Sequence, residues 1–563
     1  SIGSFSLHNN TTANNNTAVG YLALNANTTG NSNTAVGVCS LDANTEGDGN
    51  SAVGRNALAK NTTACYNVAV GYDSLFTNTT GHSNTAVGFN TMCVNTTGDC
   101  NVAIGKDALD SNTEGDCNTA IGTDALQANT TADYNTAVGS KALFANTTGH
   151  SNVAMGKGSL DANTEANQNT AIGTDALTTA TTAGSNTAIG HDALCATTTG
   201  GQNNAIGDGA MDANTTGCRN VAMGNGSMTK NTEGICNTAI GHITLQCNLT
   251  GNCNTAVGVC ALKTNTASDN TAVGAGALQK NTTASNITAV GHNALCDNTS
   301  GANNVAVGDS ALANNTTGAN NTSVGLSSMF TNISGSDNTA YGSQALTTAQ
   351  SPAGNTALGR QALCKTTTGD CNYASGAFAG CANTTGHRNT YVGYGAGQNA
   401  TTPEGNTFVG RYAGCNAGTG NSNHAFGISA GVDAVKNITG TDTHQLVLGN
   451  NGTTNAYIKV AFTVTSDLRD KTEIEDVPHG LDFVGKLNPI KYRFKESRAN
   501  PVGTGMKKYG FSAQEILELE GDNNVIIDNH DPENLKLTEL HLLPVLVNAI
   551  KELTKRIKDL EDE

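Results

Sequence analysis

The chain has 563 residues, a formal net charge of −17, sixteen cysteines and no tryptophan. So acidic a chain lacks the Lys/Arg clusters that phosphate backbones require, which excludes nucleic acid as a partner. No run approaches the roughly 18 apolar residues needed to span a bilayer, so no membrane insertion is expected.

The cysteines do not form Cys-x-x-Cys pairs of the zinc type, and neither a metal nor a cofactor is expected. No secretion signal is visible, and Ser1 lies already inside a repeat, so the N-terminus reads as cut from something longer. Of the 75 formal charges, 34 fall in the last 98 residues, as do five of the seven prolines. That break marks a domain boundary at Thr465-Ser466.

From the N-terminus, the glycine closing each Asn-Thr-Ala-Val-Gly motif recurs at Gly3, Gly20, Gly37, Gly54, Gly71 and onward to Gly427. These 26 glycines are 17 residues apart, except for the 16 from Gly258 to Gly274. A fixed period predicts a solenoid, one repeat per turn. Apolar columns that hold phase over more than four hundred residues are not what disordered low complexity requires.

Within the turn, Val19, Val36, Ile104, Ile121, Met155 or Ile172 precedes the glycine, with Ala nearly always one position earlier. Thr/Val, Ala, Val alternates with the period of a strand, its first and last residues facing the same way. Leu or Met follows four residues after the glycine, as at Leu24, Leu41, Leu58 and Met92. Asn-Thr-Thr-Gly then supplies turn chemistry, as at Asn27–Gly30. The simplest reading is two short strands and two corners per turn, with the aliphatic columns buried between neighbouring turns. At about 4.8 Å per strand, 26 turns make a rod of about 120 Å.

Several residues admit two readings. Asn27, Asn61, Asn78, Asn95, Asn315 and Asn383 head Asn-x-Thr sequons that fit glycan acceptors in a secreted chain. Their repeat phase also fits corners and side-chain ladders, which is the preferred reading. The Thr rows invite an ice-binding reading, but the corners vary too much for a uniform face.

Cys100 and Cys117 share one phase of the turn, as do Cys236 and Cys253, and Cys364 and Cys381. Stacked neighbours would lie about 5 Å apart, within disulfide range. The alternative, small half-buried free thiols, stands equally. His82, His150, His191, His242 and His292 read as surface residues without carboxylate partners.

From Gly376, Gly380, Gly397 and Gly414 replace the Leu column, and Tyr391, Tyr394, Phe408, Tyr412 and Phe426 enter. This predicts a tapered or differently packed end. Gly393–Gly397 superficially suggests a phosphate loop but falls on the repeat phase. Past Asn437 the rhythm is lost, and Gln445–Gly449 and Ala456–Phe462 read as strands joined by an Asn-Gly turn.

The closing segment opens on Thr465-Ser466-Asp467-Leu468-Arg469-Asp470-Lys471, where a Ser and a Lys five residues on form a possible nucleophile and base. That spacing does not share a helical face, so a turn or junction must bring the two together. At the end, Leu543, Leu546, Ile550, Leu553, Ile557 and Leu560 step by three and four, a coiled-coil seam too short to hold chains together unaided.

The repeat motifs resemble the head repeats of trimeric bacterial adhesins and phage fibres, which implies a left-handed parallel β-roll assembled as a trimer. The Ala column and this resemblance together predict a trimer along the whole length. The longer period and the absence of a membrane-anchoring barrel depart from the bacterial pattern.

Four blocks of the closing segment are also similar to a known domain. They are the Ser466-Asp467-x-Arg469-x-Lys471 start, Leu487-Asn488-Pro489 with Tyr492-x-Phe494, Gly510-Phe511-x-Ala513-Gln514-Glu515, and the helix. They resemble the self-cleaving intramolecular chaperone at the ends of phage tailspikes and tail fibres, the endosialidase-type peptidase S74 family. The resemblance implies Ser466 as nucleophile, Lys471 as base, Thr465-Ser466 as the scissile bond, and support from Asp467 and Arg469.

The expected organisation is a mainly β chain. A β-roll shaft spans residues 1–436, a strand connector 437–465, and a small α+β chaperone and autoprotease 466–563. The expected function is that of a homotrimeric viral tail fibre in the virion, extracellular, for host attachment. Its expected partners are a cell-surface glycan or protein receptor and other tail proteins at the N-terminus. The alternative is a bacterial adhesin or secreted filament protein that retains its chaperone. A polysaccharide-degrading tailspike would need paired carboxylates in a cleft, which the repeats do not offer.

Overall fold

Each Thr-Ala-Val stretch forms a three-residue strand, and the strand 17 residues on pairs with it in parallel, as in Thr17↔Thr34, Ala18↔Ala35 and Val19↔Val36. The computed structural model describes residues 1–433, 435–453, 456–459, 466–495, 501–522, 524–530, 532–533 and 535–562. It divides into two units, residues 1–371 and 372–563.

In the first unit, 21 such strands run from Thr17–Val19 to Thr356–Leu358. The 16-residue step keeps the pairing, Ala256 opposite Ala272. The missing residue is absorbed in the corner, where the Asn265 side chain bonds the Ala267 carbonyl two residues on rather than three.

Alternation within the strand decides what is inside. The central Ala is fully buried, as at Ala35, Ala52 and Ala103, while its neighbours face out. Contrary to the sequence reading, the β-branched column does not line the core: Val53 is 40%, Ile104 40% and Met155 43% exposed. The interior is filled instead by the Ala column and by Leu41, Leu58 and Leu109, all fully buried. The Ala column is therefore interior and cannot be a contact surface between chains.

The expected second strand does not form either. Leu24, Leu41 and Leu58 have φ of +54°, +49° and +53°, and Cys39 and Gly49 of the same turn are also left-handed. Three left-handed positions per turn fold the chain back too tightly for extended backbone. Each costs a side chain about 1–2 kcal/mol, which burial of Leu, worth roughly 1.5–3 kcal/mol, offsets. At Gly37 (φ +140°) a Cβ would stand 2.3 Å from the Gly54 carbonyl oxygen, so the glycine column admits no side chain.

Two ladders of buried asparagine complete the core. In one, Asn44 Nδ2 donates to Asn27 Oδ1 (2.8 Å) and to the Gly47 carbonyl (3.1 Å), and Asn61 donates to Asn44 in turn (2.7 Å). In the other, the Asn50 N–H donates to Asn33 Oδ1 (2.9 Å) and its side chain to the Ala64 carbonyl (2.8 Å). Asn27, Asn61, Asn78, Asn95, Asn315 and Asn383 are fully buried, so the ladder reading of these sequons holds and none of these six amides is open to a glycan in the folded chain.

In the second unit, strands from Tyr373–Ser375 to His424–Phe426 stack on one another with the same parallel register. Here the core is repacked by a size exchange. Tyr391 and Phe408 take the inward Ala position, and Gly397 and Gly414 take the Leu position, where a Cβ would stand 2.4 Å and 2.6 Å from their rings. The Tyr391 hydroxyl has no hydrogen-bond partner among the described residues, and burial pushes its pKa up.

The connector corrects one expectation. Leu446–Leu448 pairs in parallel with His424–Phe426 as a further rung. Ala456–Lys459 form no strand, and Val460–Phe462 lie outside the described residues. Ile438, fully buried, packs over Gly431 and fills the Leu position of the last turn.

The C-terminal region holds α1 (Leu481–Val484), the antiparallel ribbon Ile490–Lys495 with Gly503–Gly510, α2 (Ala513–Glu520), the short pair Ile527–Asp528 with Lys536–Leu537, and α3 (Leu542–Glu561). Its core is Phe483, Ile516, Ile526, Ile527, Leu542 and Val545.

Candidate active site

Ser466 and Lys471 meet because one 3-10 turn, Leu468–Asp470, lies between them. Asp467 caps it, Oδ1 accepting the Arg469 N–H at 2.9 Å, and the Lys471 N–H closes it on the Leu468 carbonyl at 3.2 Å. The chain leaves this turn extended, which carries the Lys471 side chain back past five residues, and its Nζ donates to Ser466 Oγ at 2.8 Å. The junction that the sequence spacing demanded is therefore a single tight turn.

Arg469 does not join the pair. Its guanidinium chelates the Asp467 carboxylate through Nε (3.0 and 3.1 Å) and Nη2, an exposed fork that fixes the turn. The Arg469 side chain, then its N–H, holds the Asp467 carboxyl below its ordinary range, and Asp467 in return raises Arg469. Thr465, the expected acyl donor, lies outside the described residues.

As drawn, an ammonium donates to a hydroxyl. To accept the serine proton, Lys471 must first be neutral, and burial away from water is the ordinary means. Ser466 and Lys471 are both exposed in the single chain. The two side chains are in hydrogen-bond contact and open to solvent.

The residues that hold the downstream segment were not apparent from sequence. Asn548 of α3 donates to the carbonyls of Val477 (3.2 Å) and His479 (3.0 Å), and Glu552 accepts the Leu481 N–H at 2.8 Å. Gly480 fits only because it is a glycine: a Cβ there would meet Glu552 Oε1 at 2.0 Å. Buried Glu520 accepts three backbone N–H groups, from Val525, Ile526 and Ile527, at 2.7–2.9 Å. The only hint in the sequence was a glutamate at an apolar phase of α2.

Two faces are uncovered. Leu542, Val545 and Ala549 turn α3 into its own core, while the seam stands in solvent, Leu543 61%, Ile550 63% and Leu560 72% exposed. Beside it lies an open apolar groove of about 450 Å³ lined by Pro489, Tyr509, Phe511, Leu540, Leu543 and Leu546.

Among the described residues no group of three or more His, Cys, Asp or Glu could hold a metal ion, and no helix is long and apolar enough to cross a membrane. All sixteen thiols are free. The histidine reading needs correction: His191 contacts its neighbour Asp192 (3.2 Å) and Asp208 one turn away (3.3 Å), and His292 contacts Asp309 one turn away (2.9 Å).

These features define a class, a repetitive parallel β-solenoid followed by a small α+β domain that opens on a serine–lysine pair. Residues 466–526 match the family model Peptidase_S74, chaperone of endosialidase. No curated protein matches the chain. Solenoid and matched segment together fit a fibre protein that carries its own C-terminal chaperone.

Proposed function

We propose that the chain is the shaft of a homotrimeric viral tail fibre for host attachment. In this reading the C-terminal domain drives assembly and then cuts itself off between Thr465 and Ser466. The observation that carries it is the Ser466–Lys471 contact of 2.8 Å at the first residues of the matched segment, where the solenoid has ended.

Self-association is supported by the outward β-branched column of the strands. An apolar face with one side chain every 17 residues can be matched rung for rung only by a surface with the same repeat, which a second copy supplies. The uncovered seam of α3 and its adjoining groove extend that argument to the C-terminal domain. The number three rests on the resemblance of the repeats and of the closing domain to trimeric fibres. Copies packing over the 3-10 turn would also cover Lys471 and lower its pKa, so cleavage would follow assembly.

Ser466 Oγ would then attack the Thr465 carbonyl, Lys471 taking the hydroxyl proton and passing it to the Ser466 amine as the peptide bond breaks. Water would hydrolyse the resulting Thr465–Ser466 ester to free the Thr465 carboxylate and restore the Ser466 hydroxyl. Mass spectrometry after expression tests this: one product ends at Thr465, the other starts at Ser466. Ser466→Ala and Lys471→Ala should each leave only full-length chain, and Arg469→Ala should slow cleavage without abolishing it. Intact wild-type mass after prolonged incubation would overturn the reading. Light scattering of the matured shaft should give three times the chain mass, and a monomer would refute the trimer.

A further inference from the structure

Five cysteines share one phase of the turn, five residues before its glycine, and four of them stand in pairs one turn apart: Cys100 with Cys117, and Cys236 with Cys253. Their φ values, +59°, +55°, +58° and +56°, are alike, and all four are exposed. Each is tied to the preceding turn by its own N–H: Cys100 to the His82 carbonyl (3.0 Å), Cys117 to Asp99 (3.0 Å), Cys236 to Cys218 (3.1 Å) and Cys253 to Ile235 (3.1 Å).

Equivalent residues of successive turns are therefore one stacking distance apart, about 4.8 Å. That lies within the roughly 4.4–6.8 Å Cα separation that a disulfide spans. We infer that Cys100 with Cys117, and Cys236 with Cys253, close on oxidation into disulfide rungs that bolt successive turns of the shaft together at two levels.

The remaining cysteines lack this arrangement. Cys371, though exposed, has Gly354 and Arg388 at its own phase one turn to either side. Cys364 and Cys381, also one repeat apart, sit half-buried at the phase after the Leu column.

The chemistry balances with a small disulfide such as oxidised glutathione as the oxidant. One cysteine thiolate attacks a glutathione sulfur, forming a mixed disulfide and expelling a glutathione thiolate. The neighbouring cysteine thiolate then attacks the protein sulfur, forms the rung and expels the second glutathione thiolate. The protons of the two cysteines end on the two glutathiones, and the two electrons lost by the cysteines reduce the oxidant. Burial, the Cys100 thiol and the carboxylates of Asp116 and Asp133 push the Cys117 thiol up, so closure should accelerate as the solution is made more basic.

The test uses the full chain, reduced, freed of reductant and incubated with oxidised glutathione. It is then acid-quenched, alkylated under denaturing conditions and digested. The expected result is four fewer titratable thiols per chain, a mass lower by four hydrogens, and linked peptides joining Cys100 to Cys117 and Cys236 to Cys253. In the Cys100→Ser/Cys236→Ser variant, glutathione should instead stay attached at Cys117 and Cys253, since no neighbour can displace it. The inference is overturned if all sixteen thiols survive, if glutathione accumulates on the four wild-type cysteines without closure, or if the links join different chains.

Discussion

The exchange of size between Phe408 and Gly414 can be tested as a closed cycle. Phe408 is fully buried where other turns have Ala, and a Cβ on Gly414 would stand 2.6 Å from three atoms of its ring. Phe408→Ala should cost about 3–5 kcal/mol, the range for deleting a buried aromatic. Gly414→Leu alone must expel the ring, forfeiting roughly 1.5–3 kcal/mol of burial and adding about 1–3 kcal/mol of overpacking. The two together rebuild the Ala-and-Leu core of Ala35 with Leu41, and φ at Gly414, +55°, already matches that of Leu41, +49°. The double variant should therefore lie within about 1–2 kcal/mol of wild type, where independent effects would sum to roughly 6 or more. Amide hydrogen exchange across residues 406–431 reads the local opening equilibrium. At about 1.4 kcal/mol per tenfold, the singles should exchange some hundred- to thousand-fold faster and the double about tenfold. A double variant as labile as the sum of the singles would refute the exchange.

Asn112 makes or receives three ladder bonds, to Asn95 (2.8 Å), the Gly115 carbonyl (3.0 Å) and from Asn129 (2.8 Å). Asn112→Ala should cost about 2–4 kcal/mol by leaving buried partners unmet, seen as faster exchange confined to residues 95–132; unchanged protection there would count against the ladder. Burial raises the carboxyls of Asp110, Asp161 and Asp212 in the folded chain. The folded state therefore holds these protons at higher pH than the unfolded state does, and shaft stability should rise as pH falls from neutral towards the ordinary aspartate range. Asp110→Asn should stabilise at neutral pH and reduce that acid gain, as thermal melts at neutral and mildly acidic pH would show.

The period, the parallel stacking and the buried Leu column were legible because each turn repeats the same choice and the repetition averages out local ambiguity, whereas the Ala column, taken for a contact between chains, proved interior. What misled was assigning the β-branched column to the core. Val36 and Leu41 are both aliphatic, yet Leu41 and Ala35 enter while Val36 stays out. The left-handed Leu positions were hidden for a related reason: nothing in a leucine announces φ near +50°, and propensity argues against it. Contacts one turn away, such as His292 with Asp309, are invisible to a reading that scans nearest neighbours. The Ser466–Lys471 pair was legible as a spacing; the Asp467 cap and Arg469 fork that build its turn became clear only in three dimensions.

Repetition that makes the fold readable also makes it degenerate. Turns carrying Ala, Leu, Gly and two Asn at the same phases can stack on a wrong neighbour with nearly every column still matched, so most of the sequence does not specify which turn meets which. What breaks the degeneracy is the irregular residues. The 16-residue turn, with its shortened bond from Asn265 to Ala267, is one such mark inside the shaft. The densest set lies at the C-terminal end of the repeats, where Tyr391 requires Gly397, Phe408 requires Gly414, and Ile438 closes the last turn over Gly431. The size-exchanged turns at this end pack in a single way, so stacking begun here has one correct continuation. It is also the end that leads into the segment matching a chaperone family. A register fixed at this end is fixed by residues that the regular turns do not supply.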